Sequence, residues 1–354
     1  MKNLSGKKKR FWVLVCVAAA AAAMLLGGCG SKNKVKLDPD NPVTITIWHY
    51  YNGAQQTAFD SLVKEFNDTV GMKEGIFVKS TGKGDVNQLE ESVRSALKKE
   101  VGSDEAPDIF SSYADTAYEI QQMGYLADLS SYLTEDEISE YVDSYVEEGR
   151  IGKGNQLFIF PTAKSSEILM LDKTDWDKFA AATGAELSSL STMEGLAETA
   201  KEYYEWTDSL TPAVENDGKA FYGRDAMANL FIIGSMQLGT EIFKVKDQQV
   251  TLQVDRDVMW RIWDTWYVPY VKGYFSSYGR FRSDDVKIGE IISYTGSTTS
   301  AMYFPDEVEL EDETYPIDYI ILPAAVFEGG EAYAVQQGAY GGDSLRQAEG
   351  ICLH

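Results

Sequence analysis

The sequence predicts an α/β protein with two domains. In its first half, short runs of β-branched and apolar residues alternate with segments whose apolar residues recur at helical spacing. This alternation is typical of a mainly parallel sheet that is covered by helices on both faces. About 310 residues precede an unusual C-terminal tail, and 44% of the whole chain is apolar. That length and composition suffice for two domains of ordinary size.

The strands and helices of the first half follow one another in strict alternation. The first helix has apolar residues at i, i+3, i+4 and i+7, and the second begins with a capping box of Asp85 and Gln88. A further capping box, Thr134 to Glu137, predicts one helix that reaches Tyr145. The predicted strands are 43–47, 75–80 and 109–113, and the predicted helices lie around 59–66, 85–97, 114–123 and 134–145.

The second half is predicted to begin near Gln156. Two apolar runs flank the polar segment 162–166 and are predicted to be strands. A capping box at Ser191 to Glu194 predicts a helix that ends near Trp206. The remaining predictions are strands at 157–161, 167–171, 287–294 and 316–323, and helices at 225–238 and 255–270.

Residues 1–28 have the features of a secretory signal peptide. Basic residues precede an apolar stretch from Phe11 to Leu26, which is shorter than the ~20 residues of a membrane span. The stretch ends in Leu-Gly-Gly-Cys, which resembles the bacterial lipobox, where the cysteine is lipidated and becomes the new N-terminus. We therefore expect Cys29 to carry a lipid anchor and residues 29–42 to form a flexible tether outside the cell membrane.

The charge and the cysteine count limit the expected partners. Removal of residues 1–28 deletes five basic residues and no acidic one, which moves the formal charge from −23 to −28. Such a surface repels nucleic acid and anionic lipid, so the membrane is expected to be a partner only through the anchor. Cys352 is then the single free cysteine, which excludes a disulfide framework and a cysteine metal site. We expect a monomer without a cofactor.

The sequence contains no recognisable catalytic motif. The mature chain has one histidine before the tail, His49, and it lacks the G-x-S-x-G, H-E-x-x-H and phosphate-loop patterns. A pair of glycosidase carboxylates would leave no local signature, so that alternative stays open, with Asp115 and Asp225 as its candidates.

Polar and aromatic residues cluster where three predicted strands end. In open α/β sheets, ligands bind beyond the carboxyl ends of the strands. Sugars stack their apolar faces on aromatic rings and bind polar groups through their hydroxyls. Any single aromatic ring could instead be buried in the core. The strand ends taken together predict a ligand site. Its predicted residues are Trp48, His49, Tyr50, Tyr51, Asn52, Ser112, Tyr113, Asp115, Tyr294, Thr295, Gly296 and Ser297.

Four further candidates lie outside these clusters. Lys164 and Arg224 are suited to hold a ligand hydroxyl or carboxylate, and Asp225 is either a ligand contact or a helix N-cap. Trp260 lies off the apolar stripe of its helix and is the fourth candidate. We interpret most of that stripe as helix core rather than as a sugar platform; it comprises Ile262, Trp263, Trp266, Tyr267 and Tyr270.

Several stretches together resemble the extracellular solute-binding proteins of bacterial ABC importers, in the group that includes carbohydrate and maltose-type binders. No single motif carries the resemblance, which depends on their order and spacing over residues 26–340. The stretches are LGGC, ITIWHYYNGAQQTAFDSLVKEFN, APDIFSSYADTAYEIQQMGYLADLSSYL, IFPTAKSSEILMLDKTDWDKF, IGEIISYTGSTTSAMYFP and YPIDYIILPAAVFEGGEAYAVQQGA.

This resemblance implies the periplasmic-binding-protein fold, with two α/β lobes, a hinge and a ligand cleft between the lobes. It also implies that a sugar or oligosaccharide is captured and delivered to the transmembrane subunits of an ABC permease. By analogy, lobe 1 takes residues 43–155 and about 286–322, and lobe 2 takes 156–285 and about 323–339. Residues 48–52 would form one wall of the cleft, with their rings partly free to stack on a sugar.

The tail departs from the pattern of this family. Members continue well past this length, whereas here a predicted strand at 333–339 is followed by residues 340–354, which have no apolar period. We interpret the change as a frameshift near Tyr340 that removes helices of the second lobe, and sequencing of the gene tests this.

Other functions stay open from the sequence alone. One is an anchored glycoside hydrolase, and another is a surface adhesin or sensory protein that presents its ligand to a receptor. A phosphorylated or peptide ligand is also compatible with the basic residues Lys164, Arg224, Arg280 and Arg282.

Overall fold

The computed structural model describes residues 37–152, 154–246, 249–338 and 340–343. Unit 1 contains the described residues up to Ala163 together with those after Gly338, and unit 2 spans Lys164–Gly338. The predicted signal peptide, Cys29 and the first part of the tether lie outside the described residues. Within the described ranges, no helix is long and apolar enough to cross a membrane.

The regular elements alternate along the chain as the sequence predicts. The strands are β1 (Val43–His49), β2 (Ile76–Gly82), β3 (Ile109–Ser112), β4 (Ile159–Pro161), β5 (Glu167–Asp172), β6 (Tyr222–Arg224), β7 (Phe243–Lys246), β8 (Gln249–Leu252), β9 (Ser293–Ser297), β10 (Glu307–Glu309), β11 (Thr314–Pro316), β12 (Tyr319–Pro323) and β13 (Tyr340–Asp343). The α-helices of five or more residues are α1 (Gly53–Phe66), α2 (Val86–Lys98), α3 (Ala114–Gln122), α4 (Glu135–Ser139), α5 (Asp143–Glu148), α6 (Lys173–Thr183), α7 (Met193–Ser209), α8 (Met227–Gln237), α9 (Arg256–Val271) and α10 (Arg282–Lys287).

Unit 1 is built on a five-stranded sheet in the order β2-β1-β3-β13-β4. β1 is parallel to β2 and β3, whereas β13 is antiparallel to both of its neighbours. One side of this sheet packs against α2 and α3 around a core that includes Trp48, Leu89, Phe110 and Ile120. β1 to β3 alternate with α1 and α2, and such crossovers make neighbouring strands parallel.

Helix α2 begins at the predicted capping box. The Asp85 carboxylate accepts a hydrogen bond from the Gln88 N–H at 3.0 Å, and the Gln88 side-chain carbonyl accepts one from the Asp85 N–H at 2.9 Å. Asp85→Ala is expected to lower the free energy of unfolding by about 1 kcal/mol, because the first turn loses an acceptor. Urea denaturation followed by circular dichroism measures this. Asp85→Asn keeps the acceptor as a control, and an alanine variant as stable as the wild type would contradict the assignment.

Unit 2 is built on a four-stranded sheet in the order β12-β5-β9-β6. β5 is antiparallel to both β12 and β9, and β6 is parallel to β9. Both faces of β5 are buried: Leu169 and Leu171 enter one core with Trp176 and Phe179, while Met170 enters another. The α/β class is confirmed, but both sheets are mixed rather than mainly parallel. β5 pairs with strands far away in sequence, and such long connections do not impose a parallel direction.

The predicted division into lobes needs correction. β9 and all but the last residue of β12 fall in the range of about 286–322 that was assigned to lobe 1, yet both strands pair with β5 in the sheet of unit 2. β4, within the range assigned to lobe 2, belongs to the sheet of unit 1. The chain therefore passes between the units after Ala163 and returns after Gly338. The residues of a strand indicate that it is buried but not which strand it pairs with, which is why these boundaries were wrong.

Two local predictions in the first half and at the tail were also wrong. The helix expected over 134–145 begins at its capping box but divides into α4 and α5, because Tyr141 and Val142 stay exposed and find no core. The strand expected at 333–339 reduces to one bridge, between Gln337 and Ser165. The strand lies instead at β13, in the tail, where backbone pairing with both neighbours holds a sequence of low β propensity.

Two local predictions in unit 2 were wrong as well. Helix α7 has Thr192 as its N-cap, accepting from the Gly195 N–H at 3.1 Å, because Glu194 binds Arg261 instead of closing a capping box. The strand expected at 287–294 starts only at Ser293, because α10 and the turn after it occupy the residues before it.

Candidate functional site

The end of β1 separates its aromatic residues between the core and the surface. Trp48 is buried against α2, and its ring centroid lies 3.8 Å from the Lys83 ammonium. The prediction that Trp48 is partly free to stack on a ligand is therefore wrong. Successive residues of a strand face opposite sides, and Trp48 lies on the side that α2 and α3 cover.

His49 is also buried, although it is the last residue of the strand. Its Nδ1 accepts a hydrogen bond from the Tyr51 N–H at 3.2 Å, which assigns the proton to Nε2. Nε2 has no hydrogen-bond partner among the described residues. The ring stacks on Tyr51 at 5.3 Å and meets the Phe59 ring edge-on at 5.0 Å. Burial lowers the pKa of His49, and the charge of Asp60 partly offsets this shift. This histidine is therefore neutral at pH 7.

Tyr50 and Tyr113 form a ring pair at the ends of two neighbouring strands, β1 and β3. Their ring centroids are 6.2 Å apart with an angle of 22° between the planes, and both side chains are half-buried. Burial raises the pKa of Tyr50 above its usual range, and Tyr113 adds to the shift, so the phenol stays protonated and able to donate. The pair thus combines apolar ring surface with hydroxyl groups, as sugar recognition requires.

The other predicted residues of unit 1 surround this pair with different exposure. Tyr51 is half-buried, Asn52 is exposed as the N-cap of α1, and Asp115 is exposed in the first turn of α3. Ser112 is buried, and its hydroxyl donates to the Tyr113 carbonyl at 3.0 Å, so it supports the backbone rather than facing solvent.

In unit 2, Arg224 at the end of β6 is occupied by an internal ion pair. Its guanidinium binds the Glu167 carboxylate, and each side chain is only 5% exposed. Its Nε also donates to the Ala226 carbonyl at 3.2 Å. The adjoining void of about 20 Å³ has room for a water and not for a sugar. The predicted contact between Arg224 and a ligand is therefore not available in this arrangement.

Asn229 and Gln337 extend this ion pair into a polar network. The Asn229 amide donates to Glu167 at 2.9 Å and lies 3.5 Å from the Gln337 side-chain oxygen. Gln337 in turn pairs through its backbone with Ser165. Neither Asn229 nor Gln337 was predicted from the sequence. Asn229 lies inside an apolar helix and Gln337 in a predicted strand, so only the tertiary fold brings them to the site.

Asp225 lies beside the end of β9, next to Gly296. Its carboxylate accepts a hydrogen bond from the Arg282 N–H at 3.0 Å, and burial raises its pKa. A Cβ on Gly296 would stand 2.7 Å from the Asp225 carboxylate, so only glycine fits there without movement. The Tyr294 hydroxyl is buried and has no hydrogen-bond partner among the described residues. Asp225 is not the N-cap of α8, a position taken by Ala226.

The remaining predicted residues of unit 2 differ in burial and in their hydrogen-bond partners. Thr295 is buried and accepts from the Tyr222 hydroxyl at 2.8 Å, and Ser297 caps a short 3₁₀ turn. The Lys164 ammonium is 3.5 Å from the Gly338 carbonyl. Trp260 is 65% exposed on α9.

The aromatic stripe of α9 is only partly core. Ile262 and Trp266 are buried as predicted, whereas Trp263, Tyr267 and Tyr270 are exposed. The prediction that most of the stripe is core was therefore wrong, because helical spacing shows that side chains share a face but not how much of that face is covered.

The basic residues considered as partners of an anionic ligand are mostly neutralised. Arg282 is buried and pairs with Asp285, and it lies near Asp225. Arg280 is exposed, with its guanidinium 5.2 Å from the Phe281 ring. In the part of the chain that the structure describes, no group of three or more His, Cys, Asp or Glu side chains is placed to hold a metal ion.

The sequence matches the model of a protein family described as "Bacterial extracellular solute-binding protein" over residues 61–344. The chain belongs to this family. Its description names solute-binding proteins that function outside the cytoplasm. The comparison with curated proteins gave no match.

Solved structures of solute-binding proteins share this fold. Lmo0181 of Listeria monocytogenes, in complex with cycloalternan, is 17% identical and has a TM-score of 0.67 over 87% of this chain and 73% of its own. UgpB of Mycobacterium tuberculosis, in complex with glycerophosphocholine, is 17% identical and has a TM-score of 0.66 over 87% of this chain and 72% of its own. The galacto-N-biose-/lacto-N-biose I-binding protein of Bifidobacterium longum, in complex with lacto-N-biose, is 14% identical and has a TM-score of 0.65 over 88% of this chain and 72% of its own. At these identities the likeness concerns the fold.

Proposed function

We propose that this solute-binding protein captures a neutral sugar or oligosaccharide outside the cell and delivers it to the permease of an ABC importer. The observation that carries the proposal is the half-exposed pair of Tyr50 and Tyr113 at adjacent strand ends. Such rings offer a stacking surface for the C–H face of a sugar, while their hydroxyls and the neighbouring Asn52 and Asp115 supply polar partners.

The charges near the strand ends of unit 2 favour a neutral ligand over an anionic one. Arg224 and Arg282 are already bound to carboxylates, so an incoming phosphate or carboxylate would have to compete with a buried ion pair. The Asp225 carboxylate offers an acceptor, which suits a sugar hydroxyl. Two of the structural neighbours named above were solved with carbohydrates, cycloalternan and lacto-N-biose, which supports the same ligand class.

The lipobox supports a role at the membrane surface. With a diacylated Cys29 and a polar tether up to residue 42, the protein would stay near its permease while it samples solute. The absence of a recognisable catalytic motif agrees with release of the ligand unchanged.

The proposal is tested by a ligand panel on the mature chain. Thermal unfolding is followed with neutral mono- and oligosaccharides, with sugar phosphates and with glycerophosphocholine. A neutral carbohydrate at 100 times its Kd is expected to stabilise the protein by ~2.7 kcal/mol, which raises the melting temperature. A rise only with the phosphorylated compounds, or no rise with any compound in a cooperatively melting protein, would overturn the carbohydrate assignment.

A further inference from the structure

The turn that leads from β1 into α1 contains the pair Asn52-Gly53. Asn52 is the one asparagine of the chain that a glycine follows, and both residues are exposed. In such a pair the backbone nitrogen of the glycine can attack the carboxamide of the asparagine, because glycine has no Cβ to obstruct the approach. The turn therefore combines the residue types and the exposure that spontaneous deamidation requires.

Gly53 leaves its backbone nitrogen accessible. Its φ is +52°, a conformation that favours glycine. Apart from its chain neighbours and the backbone of its own helix, no atom of the described residues lies within 4 Å of the position that a Cβ would take. Gly53 is also the first residue of α1, where a backbone N–H has no carbonyl of its own helix to bind. The approach to this nitrogen is therefore open.

Two other asparagines lack this combination and serve as comparisons within the chain. Asn216 is exposed, with a φ of +65°, but the N–H of the following Asp217 donates to the Asp208 carboxylate at 2.8 Å. The Asn67 carboxamide donates to the Val78 carbonyl at 2.8 Å and accepts from the Val78 N–H at 2.7 Å. The attacking nitrogen is bound in the first case, and the carboxamide is held in the second.

We propose that Asn52 is a deamidation site that converts with time into aspartate and isoaspartate. The Gly53 nitrogen bonds to Cγ of Asn52, the Cγ–Nδ2 bond breaks, and ammonia leaves with the proton of the Gly53 N–H. A cyclic imide results, and water opens it. Cleavage between the Gly53 nitrogen and Cγ gives aspartate, whereas cleavage between that nitrogen and the backbone carbonyl carbon gives isoaspartate. The net reaction consumes one water, releases one ammonia and needs no oxidant or reductant.

Either product adds a negative charge close in sequence to Tyr50, a member of the ring pair. Isoaspartate also lengthens the main chain by one methylene directly after Tyr51, whose N–H donates to His49. Aspartate instead keeps the main chain unchanged and places a carboxylate at the N-terminus of α1, which the helix dipole favours. Deamidation is independent of the proposed function, and only its effect on sugar binding rests on that function.

Timed incubation of the purified protein at neutral pH, in water enriched in the heavy oxygen isotope, tests the proposal. Digestion in ordinary water and mass spectrometry then map each asparagine. The peptide with Asn52 is expected to exchange its amide for a carboxylate that carries heavy oxygen and to separate into two products. The peptides with Asn67 and Asn216 are expected to stay intact. An Asn52 that persists while a free peptide of residues 48–55 converts would overturn the proposal. Equal conversion of all three asparagines would do so too, because it assigns the reaction to unfolded chains.

A matched pair of glycine substitutions tests the role of the nitrogen. Gly53→Ala is expected to slow the conversion of Asn52 about ten-fold or more, because the added Cβ obstructs the nitrogen and disfavours a φ of +52°. Gly102→Ala makes the same change at another exposed glycine with positive φ and open surroundings, and is expected to leave the rate at Asn52 unchanged. Conversion of Gly53→Ala at the rate of the wild type would contradict the proposed reaction.

Discussion

Arg224→Ala is expected to lower the free energy of unfolding of unit 2 by about 3–5 kcal/mol, because it leaves the Glu167 carboxylate buried without its charged partner. Both side chains are only 5% exposed. Among the described residues, the Asn229 amide still donates to that carboxylate. Chemical denaturation followed by tryptophan fluorescence measures the change, since five of the seven tryptophans lie in unit 2.

Two variants separate the ion pair from general effects of mutation. The double variant Glu167→Leu, Arg224→Met is expected to recover most of the lost stability, because it removes both buried charges together. Arg261→Ala breaks a second Arg–Glu pair of unit 2, in which the Arg261 side chain is 41% exposed, and is expected to cost about 1 kcal/mol or less. An Arg224→Ala variant no less stable than Arg261→Ala would contradict the account.

The stability of unit 2 is expected to fall as the pH rises from about 4 to 7, because of Asp172. This side chain caps α6 by accepting from the N–H groups of Thr174 and Asp175 at 2.9 and 3.1 Å, and its second oxygen is buried with no partner among the described residues. Burial raises the pKa of Asp172 from 3.8 to about 7, with a contribution from Asp175. Between these pH values the folded state holds a proton that the unfolded state has lost, so the loss of stability reaches up to about 4 kcal/mol.

Asp172→Asn is expected to remove this pH dependence and keep the cap, because the amide oxygen still accepts and the side chain does not ionise. The variant should be more stable than the wild type at pH 8 and similar to it at pH 4, as measured by denaturation at both values. Asp255→Asn changes the exposed N-cap of α9 and is expected to retain the decline. A wild type equally stable at pH 4 and pH 8, matched by Asp172→Asn, would show that Asp172 does not cause such a decline.

Local signals in the sequence predicted local structure well. The apolar spacing of α1 and the capping boxes that begin at Asp85 and Thr134 are properties of a few neighbouring residues, and the structure confirms them. The predicted family and the α/β class are also confirmed.

Predictions that depended on distant pairing were less successful. Trp48 and Tyr50 are two residues apart and both aromatic, but only the packing of α2 shows that Trp48 is core. Arg224 has the residue type of a ligand contact, but its partner Glu167 lies 57 residues away in sequence. The sequence could not show that β5 places this carboxylate beside β6, so it could not distinguish a ligand contact from an internal ion pair.

The most direct test of the central claim is a calorimetric titration of the mature protein with the sugar that the panel identifies, repeated for Tyr50→Ala and Tyr125→Ala. Tyr50→Ala loses the stacking surface and the phenol hydroxyl, so its Kd for the sugar is expected to rise about ten-fold or more. Tyr125→Ala removes an exposed tyrosine of unit 1 that lies outside this ring pair and should bind like the wild type. Equal affinity of all three proteins would contradict the assignment of the Tyr50–Tyr113 pair as the sugar-stacking surface.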